Sequence, residues 1–442
     1  MHIGIVTLGC TKNQVDSELM QGLLKAEGNK IVPDLEEADI VLVNTCGFIQ
    51  AAKEESIAAI LSAAQYKSGR CQKLLVAGCL SQRYAEQLMT DIPEIDGMVG
   101  TGSFTSICSV LQQVMLGERV LAVGEASYDY EEFIERESSV SYSTYVKIAE
   151  GCSNWCSYCA IPLVRGEYRS RTIESILRES RHLADNGARE INLIAQDTTR
   201  YGLDLYGRPR LVDLLEKLQT IAGIEWIRLL YCYPDFITEE LIEALASLSK
   251  VCQYMDLPLQ HISPRILKAM NRRGTKDEIV SLLVRLRERM PRITLRTTFI
   301  VGFPGETDEE FRELADFIKE VEFDHVGVFK YSREEDTAAD SLPDQVSERV
   351  KEVRFRELMT IQQKISRKKN QKAIGSVVQV LVEGPWIEGD GIVGRARKDA
   401  PEVDGKVYVT GAQAATGQFV TALVQTAAEY DLFGVLTSES SQ

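Results

Sequence analysis

The sequence predicts an α/β protein of three units: an N-terminal parallel-sheet α/β domain, a central partial barrel of strand–helix units and a C-terminal small β-barrel. Three observations carry this. Short apolar runs alternate with helical patterns up to about residue 125, as in a parallel sheet covered on both faces. The alternation resumes between residues 144 and 332 and repeats about six times. From about residue 373 it gives way to alternating strands broken by glycines.

In the first unit, Ile3–Leu8, Asp39–Asn44 and Lys73–Ala77 read as strands, with helices through Leu19, Leu23 and Leu24 and from about Ala51 to Ala64. Cys10, Cys46 and Cys79 each fall just past a strand end, 36 and 33 residues apart. Those intervals are near the length of one βαβ unit, roughly 30 residues or more. Ligands of open parallel sheets bind beyond the carboxyl ends of the strands, so three thiols from three strand ends can converge. Gly9, Gly47 and Gly78 beside them let backbone approach a bulky group closely. An iron–sulfur cluster with three protein ligands fits this pattern. Three packed free cysteines are the alternative, and the unpatterned Cys71, Cys108, Cys232 and Cys252 read as packing residues. Residues 126–143, with the acidic run Tyr128–Ser139, read as a solvated linker.

In the central unit, strands are expected at Tyr145–Ala149, Glu190–Ala195, Trp226–Tyr231, Tyr254–Leu259, Thr294–Val301 and His325–Lys330. Helical patterns such as Ser175–Asn186 and Glu309–Val321 intervene. The first strand runs into Gly151–Cys159, where Cys152, Cys156 and Cys159 are spaced C-x3-C-x2-C with no fourth cysteine nearby. A structural zinc site takes four ligands, and ferredoxin-type runs supply four thiolates. Three thiolates would leave one iron of a four-iron cluster open to a small ligand, at the barrel face where active sites lie. Three buried free cysteines, or a zinc site that borrows His2, His182, His261 or His325, are the alternatives.

Other strand ends add candidates: Gln196, Asp197 and Thr198; His261; and Gly302–Thr307. The last also reads as a tight turn before a helix N-cap, and it is no phosphate loop because no Gly-Lys-Ser/Thr follows. Arg165, Arg169 and Arg171 form a basic cluster beside the cysteine loop. Arginine binds carboxylates bidentately, so one of them is a candidate grip on a substrate carboxylate; a solvated surface cluster is the other reading. A basic helical stretch at 333–372 is either structural or substrate-facing.

Composition sets bounds. The chain has 442 residues, ten cysteines and a formal net charge of −15. It lacks the run of about 18 apolar residues that spans a membrane, and its start reads as a strand rather than a signal peptide. Cysteines without a secretory signal point to a reducing compartment and to metal or catalytic use. A strongly acidic chain is not built for phosphate-backbone binding and is better matched to a basic partner.

The C-x3-C-x2-C loop resembles the signature of radical S-adenosylmethionine enzymes. Leu8–Glu18, Asn44-Thr45-Cys46 and Gly78-Cys79 resemble the three cysteine motifs of the methylthiotransferase family within them. The glycine-broken strands resemble the TRAM domain that ends that family, so the resemblance covers essentially the whole chain. It implies a methylthiotransferase domain at 1–125, the acidic linker at 126–143, a partial (β/α)6 radical SAM barrel with its trailing helix at 144–371 and a TRAM-like barrel at 372–442.

The cofactors it implies are two [4Fe-4S] clusters, one on Cys152, Cys156 and Cys159 and an auxiliary one on Cys10, Cys46 and Cys79, together with S-adenosylmethionine. Tyr158 is expected near the adenine, Gln196 and Asp197 near the methionine moiety, and Gly302, Gly305 and Glu306 around the adenosine pocket, with His261 a further cofactor contact.

The implied reaction places a methylthio group on the β-carbon of an aspartate in ribosomal protein S12, with tRNA adenosine as the alternative substrate. That carbon is unactivated, so general-base removal of its proton is too slow and a radical is required. TRAM modules usually bind RNA. Here, however, residues 372–442 carry five basic against nine acidic side chains, which suits a basic protein better. The remaining expectations are an external electron donor of flavodoxin or ferredoxin type, a sulfur source, no membrane, nucleic acid as a lesser partner and a cytoplasmic location.

Overall fold

The computed structural model describes residues 1–126, 134–136, 138 and 141–437. Most of the expected linker, Ser127–Phe133 with Glu137, Ser139 and Val140, lies outside the described residues. Its described part departs from the solvated run expected there. Arg136 is buried, because it is held between two carboxylates of the units on either side.

The N-terminal unit is one parallel sheet in the order β2-β1-β3-β4-β5-β6. The strands are β1 (His2–Thr7), β2 (Lys30–Val32), β3 (Ile40–Thr45), β4 (Lys73–Gly78), β5 (Gly97–Val99) and β6 (Val120–Ala122). Helices α1 (Thr11–Ala26), α2 (Gln50–Gln65), α3 (Cys79–Asp91) and α4 (Ile107–Met115) cover it. Every residue of central β3 is buried, as an apolar run sandwiched between helices requires. β1, β3 and β4 are neighbours, so the loops leaving them lie side by side. The shorter strands β2, β5 and β6 carry too few residues for a period to show in the sequence.

The central unit has six parallel strands in chain order: β7 (Ser143–Lys147), β10 (Glu190–Ile194), β11 (Trp226–Leu229), β12 (Tyr254–Gln260), β13 (Thr294–Val301) and β14 (His325–Lys330). They form two three-stranded sheets linked by the bridge between Ile227 and Val251. A small hairpin, β8 (Ala149–Glu150) and β9 (Arg169–Ser170), flanks the cysteine loop and the short α5 (Ile161–Arg165) that follows it. α6 (Ile173–Asp185) starts on Thr172, whose side chain accepts from the Ser175 N–H. The helices Lys276–Arg289 and Asp308–Val321 both open with capping boxes, Thr275 with Glu278 and Thr307 with Glu310. α1 packs against β7 and brings the first unit to the barrel.

The last unit is a closed barrel of β15 (Val377–Pro385), β16 (Gly391–Ala396), β17 (Val407–Thr410), β18 (Phe419–Ala427) and β19 (Leu432–Leu436), in the order β15-β16-β17-β19-β18. It docks on the amino ends of the central strands. Trp226 meets Phe419 edge-on at 4.9 Å, and the Tyr254 hydroxyl donates to Asp404 at 2.6 Å. Glu190 is fully buried between Arg228, at 2.9 Å, and Arg395, at 2.5 Å. Burial opposes its charge, but these guanidiniums outweigh it and hold Glu190 at about 2. The basic stretch left undecided by the sequence is a 25-residue helix, Glu348–Lys372. Lys351 and Arg354 on it are buried and fasten the barrel, so these two side chains are structural.

Removing one partner of a buried pair strands the other charge, at a cost of about 3 kcal/mol or more. Arg395→Met is therefore expected to lower stability by at least that amount in urea unfolding. An unchanged midpoint would show that the pair does not fasten the two barrels.

Candidate active site: two cysteine triads joined by buried charges

Cys10 is the exposed N-cap residue of α1, Cys46 follows β3 and Cys79 opens α3. The local backbone explains the glycines beside them. Gly9 has φ +90°, and a Cβ there would lie 2.7 Å from that of Cys46. Gly78 has φ +96°, and a Cβ there would lie 2.3 Å from Asn44 Oδ1. Asn13 ties two of the loops, donating to Leu8 O at 2.9 Å and Thr45 O at 2.8 Å. Burial pushes the Cys79 thiol up to about 12; Arg165 pulls against this, while Cys10 and Cys46 add to it. Burial also raises Cys46, with Cys10 contributing.

The second triad sits beyond β7. Gly151 turns the chain at φ +73°, and the Cys152 N–H donates to Gly166 O at 3.0 Å. Ser157 anchors the loop to the turn at Met270, its N–H donating to Met270 O at 2.9 Å and its hydroxyl to Ala269 O at 2.8 Å. Asn271 donates to Trp155 O at 2.8 Å. Arg272 faces the triad, with Nη1 3.7 Å from Cys156 Sγ and 3.4 Å from the Tyr158 hydroxyl. Its other nitrogen donates to Pro258 O at 2.7 Å. Burial pushes Cys152 up to about 11, with Cys156 adding to it beyond a backbone hydrogen bond that lowers it.

The six free thiols fall in two groups of three, beside glycines whose positions leave no room for a Cβ, and three thiolates suit an iron–sulfur cluster better than a four-ligand structural zinc site. The histidines the zinc alternative needs lie elsewhere. His2 meets Arg70, His182 meets Asn186, His261 lies between Ser263 and Glu306, and His325 faces Asp399 and Asp404.

A buried network joins the triads. Asp16 on α1 pairs with Lys147 and, at 3.0 Å, with Arg165. Glu150, between β7 and the cysteine loop, pairs with the same two cations at 2.8 and 3.0 Å. Arg165 also donates to Asn13 Oδ1 at 2.6 Å. Beside this, Arg136 joins Glu18 of α1 to Glu179 of α6, and Arg171 pairs with Glu179. Burial works against the charge of Glu179, but Arg171 and Arg136 outweigh it and hold the carboxyl at about 2. Lys12, also on α1, lies over the Tyr231 ring at the carboxyl end of β11, 2.9 Å from the ring centroid. Burial lowers Lys12 to about 7, against the opposing influence of Cys10.

The arginines are the main correction. Arg165 and Arg171 are buried in internal pairs, and Arg169 donates to backbone carbonyls including Ala126 O at 2.6 Å. Spacing along the chain could not show that carboxylates from three other elements had already claimed Arg165 and Arg171. Asp197 is also engaged: Asn154 of the cysteine loop donates to one oxygen at 2.9 Å and Thr199 to the other at 2.7 Å. It braces the loop, while Gln196 beside it is half-buried. Glu306 is turned inward, accepting from Gly302 N–H and pairing with Arg354 at 3.1 Å. His261 Nδ1 accepts from the Ser263 N–H at 3.0 Å, which leaves the Nε2 proton toward Glu306 at 3.5 Å. Gly302 has φ +73° and abuts Lys351, and Gly305 N–H donates to Asp344 O at 2.9 Å. Phe303 from this turn shares an apolar cluster with Met270 and Tyr331, and Tyr158 packs on it. Tyr158 and the turn therefore lie on one wall, while His261 and Glu306 stiffen it from behind. Sequence reasoning missed Arg272, Tyr231 and Arg136, which bear no motif of their own.

Three family models match: the radical SAM superfamily at residues 146–318, the uncharacterized protein family UPF0004 at 2–100 and the TRAM domain at 374–436. A protein of Pelotomaculum thermopropionicum named ribosomal protein uS12 methylthiotransferase RimO is 51% identical over 98% of this chain and 99% of its own length. Another of that name, from Natranaerobius thermophilus, is 50% identical over 100% of both chains. The chain belongs to the radical SAM methylthiotransferase family. Its cofactors are S-adenosylmethionine and [4Fe-4S] clusters. Among solved structures, the radical S-adenosylmethionine methyltransferase TsrM of Kitasatospora setae, with cobalamin and a [4Fe-4S] cluster bound, matches at TM-score 0.58 and 15% identity. That match covers 87% of this chain and 81% of TsrM, and it shows a shared fold. Among the described residues no helix is long and apolar enough to cross a membrane.

The sign of the acid response follows from Glu179. Its folded value of about 2 lies below an unfolded value of about 4.5, so its stabilisation is complete above the unfolded value and is lost as pH falls through the folded one. Stability is expected to drop between about pH 4.5 and 2, and Glu179→Gln is expected to flatten that drop. Denaturant midpoints measured across this range check it; parallel curves for both proteins would refute it.

Proposed function

We propose that the chain transfers a methylthio group to the β-carbon of an aspartate in ribosomal protein S12. One cluster is held by Cys152, Cys156 and Cys159, and an auxiliary cluster by Cys10, Cys46 and Cys79. The observation that carries this reading is the buried ion-pair network that ties α1, capped by Cys10, to Lys147, Glu150 and Arg165 around the Cys152 loop. The full-length relatives named for this activity support the substrate. When bound, the clusters and S-adenosylmethionine supply the electron, the hydrogen abstraction and the methylated sulfur that an unactivated carbon requires.

The chain's own residues position these groups. Ser157, Asn271 and Gly151 fix the backbone of the loop that carries its three thiols. The Asn154–Asp197 contact holds the middle of that loop to the turn after β10. Arg272 places a permanent positive charge 3.7 Å from Cys156 Sγ and so offsets negative charge collected there. Tyr158, backed by Phe303, offers an aromatic wall for the cofactor's adenine. Asn13 and Arg165 keep the Cys10 and Cys46 loops in register with the barrel. An electron donor of flavodoxin or ferredoxin type and a separate sulfur source complete the cycle, and a ribosomal substrate places it in the cytoplasm.

Replacing Cys152, Cys156 and Cys159 by Ala is expected to remove roughly half the iron and abolish 5′-deoxyadenosine formation. Replacing Cys10, Cys46 and Cys79 is expected to remove the other half and abolish methylthiolation while 5′-deoxyadenosine still forms. Iron analysis and mass spectrometry of S12 and tRNA from a complemented deletion strain check both. An unmodified S12 beside a methylthiolated tRNA adenosine would overturn the substrate assignment.

A further inference from the structure

We propose that the outer face of the Cys152 loop, Trp155 together with Lys268 and Arg273, is the docking surface of an acidic, flavin-bearing electron carrier; this rests on the electron-donor reading above. Trp155 lies one residue before Cys156 and is 54% exposed. Its φ is +51°, a region that glycine enters freely and a bulky residue does not. The fold holds it there. Asn271 donates to Trp155 O at 2.8 Å, and Ser157, on the other side of Cys156, is bonded to Met270 O and Ala269 O. An indole kept in solvent at a position suited to glycine has no packing role, so its strain points to a function.

The turn that holds the loop supplies a second observation. Residues 262–275 contain Arg265, Lys268, Arg272 and Arg273 and no acidic residue, in a chain of net charge −15. Arg265 is engaged by Glu310, and Arg272 is turned toward Tyr158 and Pro258 O. Lys268 and Arg273 are exposed, and among the described residues no carboxylate pairs with either. Asp235 feels the charge of Arg273 without forming an ion pair with it. The other acids nearby have partners. Asp340, next to the Ala339 N–H that donates to Ser157 O, pairs with Arg333, and Glu278 closes the capping box of the following helix.

Together these features select the partner. Lys268 and Arg273 repel a basic substrate protein and steer an acidic protein toward the loop. Two cations fall short of the row of lysines and arginines that phosphate-backbone binding draws on, so a nucleic acid fits less well. Electron-transfer encounters are small, below about 1,200 Å² in total, and one aromatic ring with two cations is enough to define one. The indole offers a planar face on which the edge of a flavin can rest, which an iron–sulfur carrier would not use. The reduced flavin loses one electron and no atom moves. The acceptor is the cluster on Cys152, Cys156 and Cys159, one residue from the docked ring.

The test compares two reductants on the anaerobically reconstituted enzyme. A variant carrying Lys268→Glu and Arg273→Glu is expected to bind a flavodoxin about tenfold more weakly at low salt in isothermal titration. The difference is expected to shrink as salt rises. Formation of 5′-deoxyadenosine driven by flavodoxin is expected to fall with binding, while formation driven by dithionite, which needs no docking surface, stays at the wild-type rate. Trp155→Gly, which suits the same φ, is expected to weaken flavodoxin binding by a similar factor with the iron content unchanged. A charge-reversed variant that binds flavodoxin like wild type overturns the docking surface and leaves the donor reading standing, the more so if it has lost tRNA binding instead. A wild-type enzyme that turns over with dithionite but binds no flavodoxin overturns both the surface and a flavin donor.

Discussion

The position of α1 against the barrel governs this molecule. That helix carries Cys10 at its cap, and its acids Asp16 and Glu18 are buried among cations of the central unit and the linker. Four carboxylates, Asp16, Glu18, Glu150 and Glu179, meet four cations, Lys147, Arg136, Arg165 and Arg171. Ion pairs this deep cost several kcal/mol per charge in lost hydration, and their mutual attraction does little better than break even. Directional pairs do, however, fix register, because each guanidinium accepts carboxylates only in its own plane. Glu150 lies one residue before the cysteine loop and Asp16 nearly two turns beyond Cys10, so the network sets the relation of one triad to the other.

The central strands give the protein two unlike ends. At the amino ends the TRAM barrel is fastened by Glu190 between Arg228 and Arg395, by Asp404 on Tyr254 and by Trp226 on Phe419. At the carboxyl ends lie the cysteine loop, Arg272, Tyr231 and the N-terminal triad. One basic side chain of the TRAM barrel, Arg395, is spent on this fastening, so even the small positive charge visible in the sequence is not all available to a nucleic acid.

Residues that announce themselves by spacing were legible in the sequence. The six cysteines, their strand-end placement and the glycines beside them follow from period and from covalent geometry. β13 and β14 match their expected bounds, and buried residues alternate with less buried ones along most of each strand. The partners of charged residues were not legible. Arg165 looked available because its acids lie about 15 and 150 positions away in the chain, and pairing at that range leaves no periodic trace. The same holds for Arg136, which sits in an acidic stretch that reads as solvated until Glu18 and Glu179 are found around it. Lys12 stands beside a motif cysteine, but only the fold shows that it is buried over the Tyr231 ring.

An apolar interface between α1 and the barrel would hold the two units at least as firmly, since well-packed apolar groups often match or exceed buried ion pairs in stability. It would not hold them as exactingly. Apolar surfaces slide by fractions of an ångström at little cost, whereas a carboxylate shared between Lys147 and Arg165 loses both partners if it shifts. The reaction needs that tolerance. Radical chemistry on an unactivated carbon depends on position, and an error of about 1 Å costs about a hundredfold in rate. The buried charges are best understood as a positional device whose energetic cost is accepted because it holds α1 in one fixed place on the barrel.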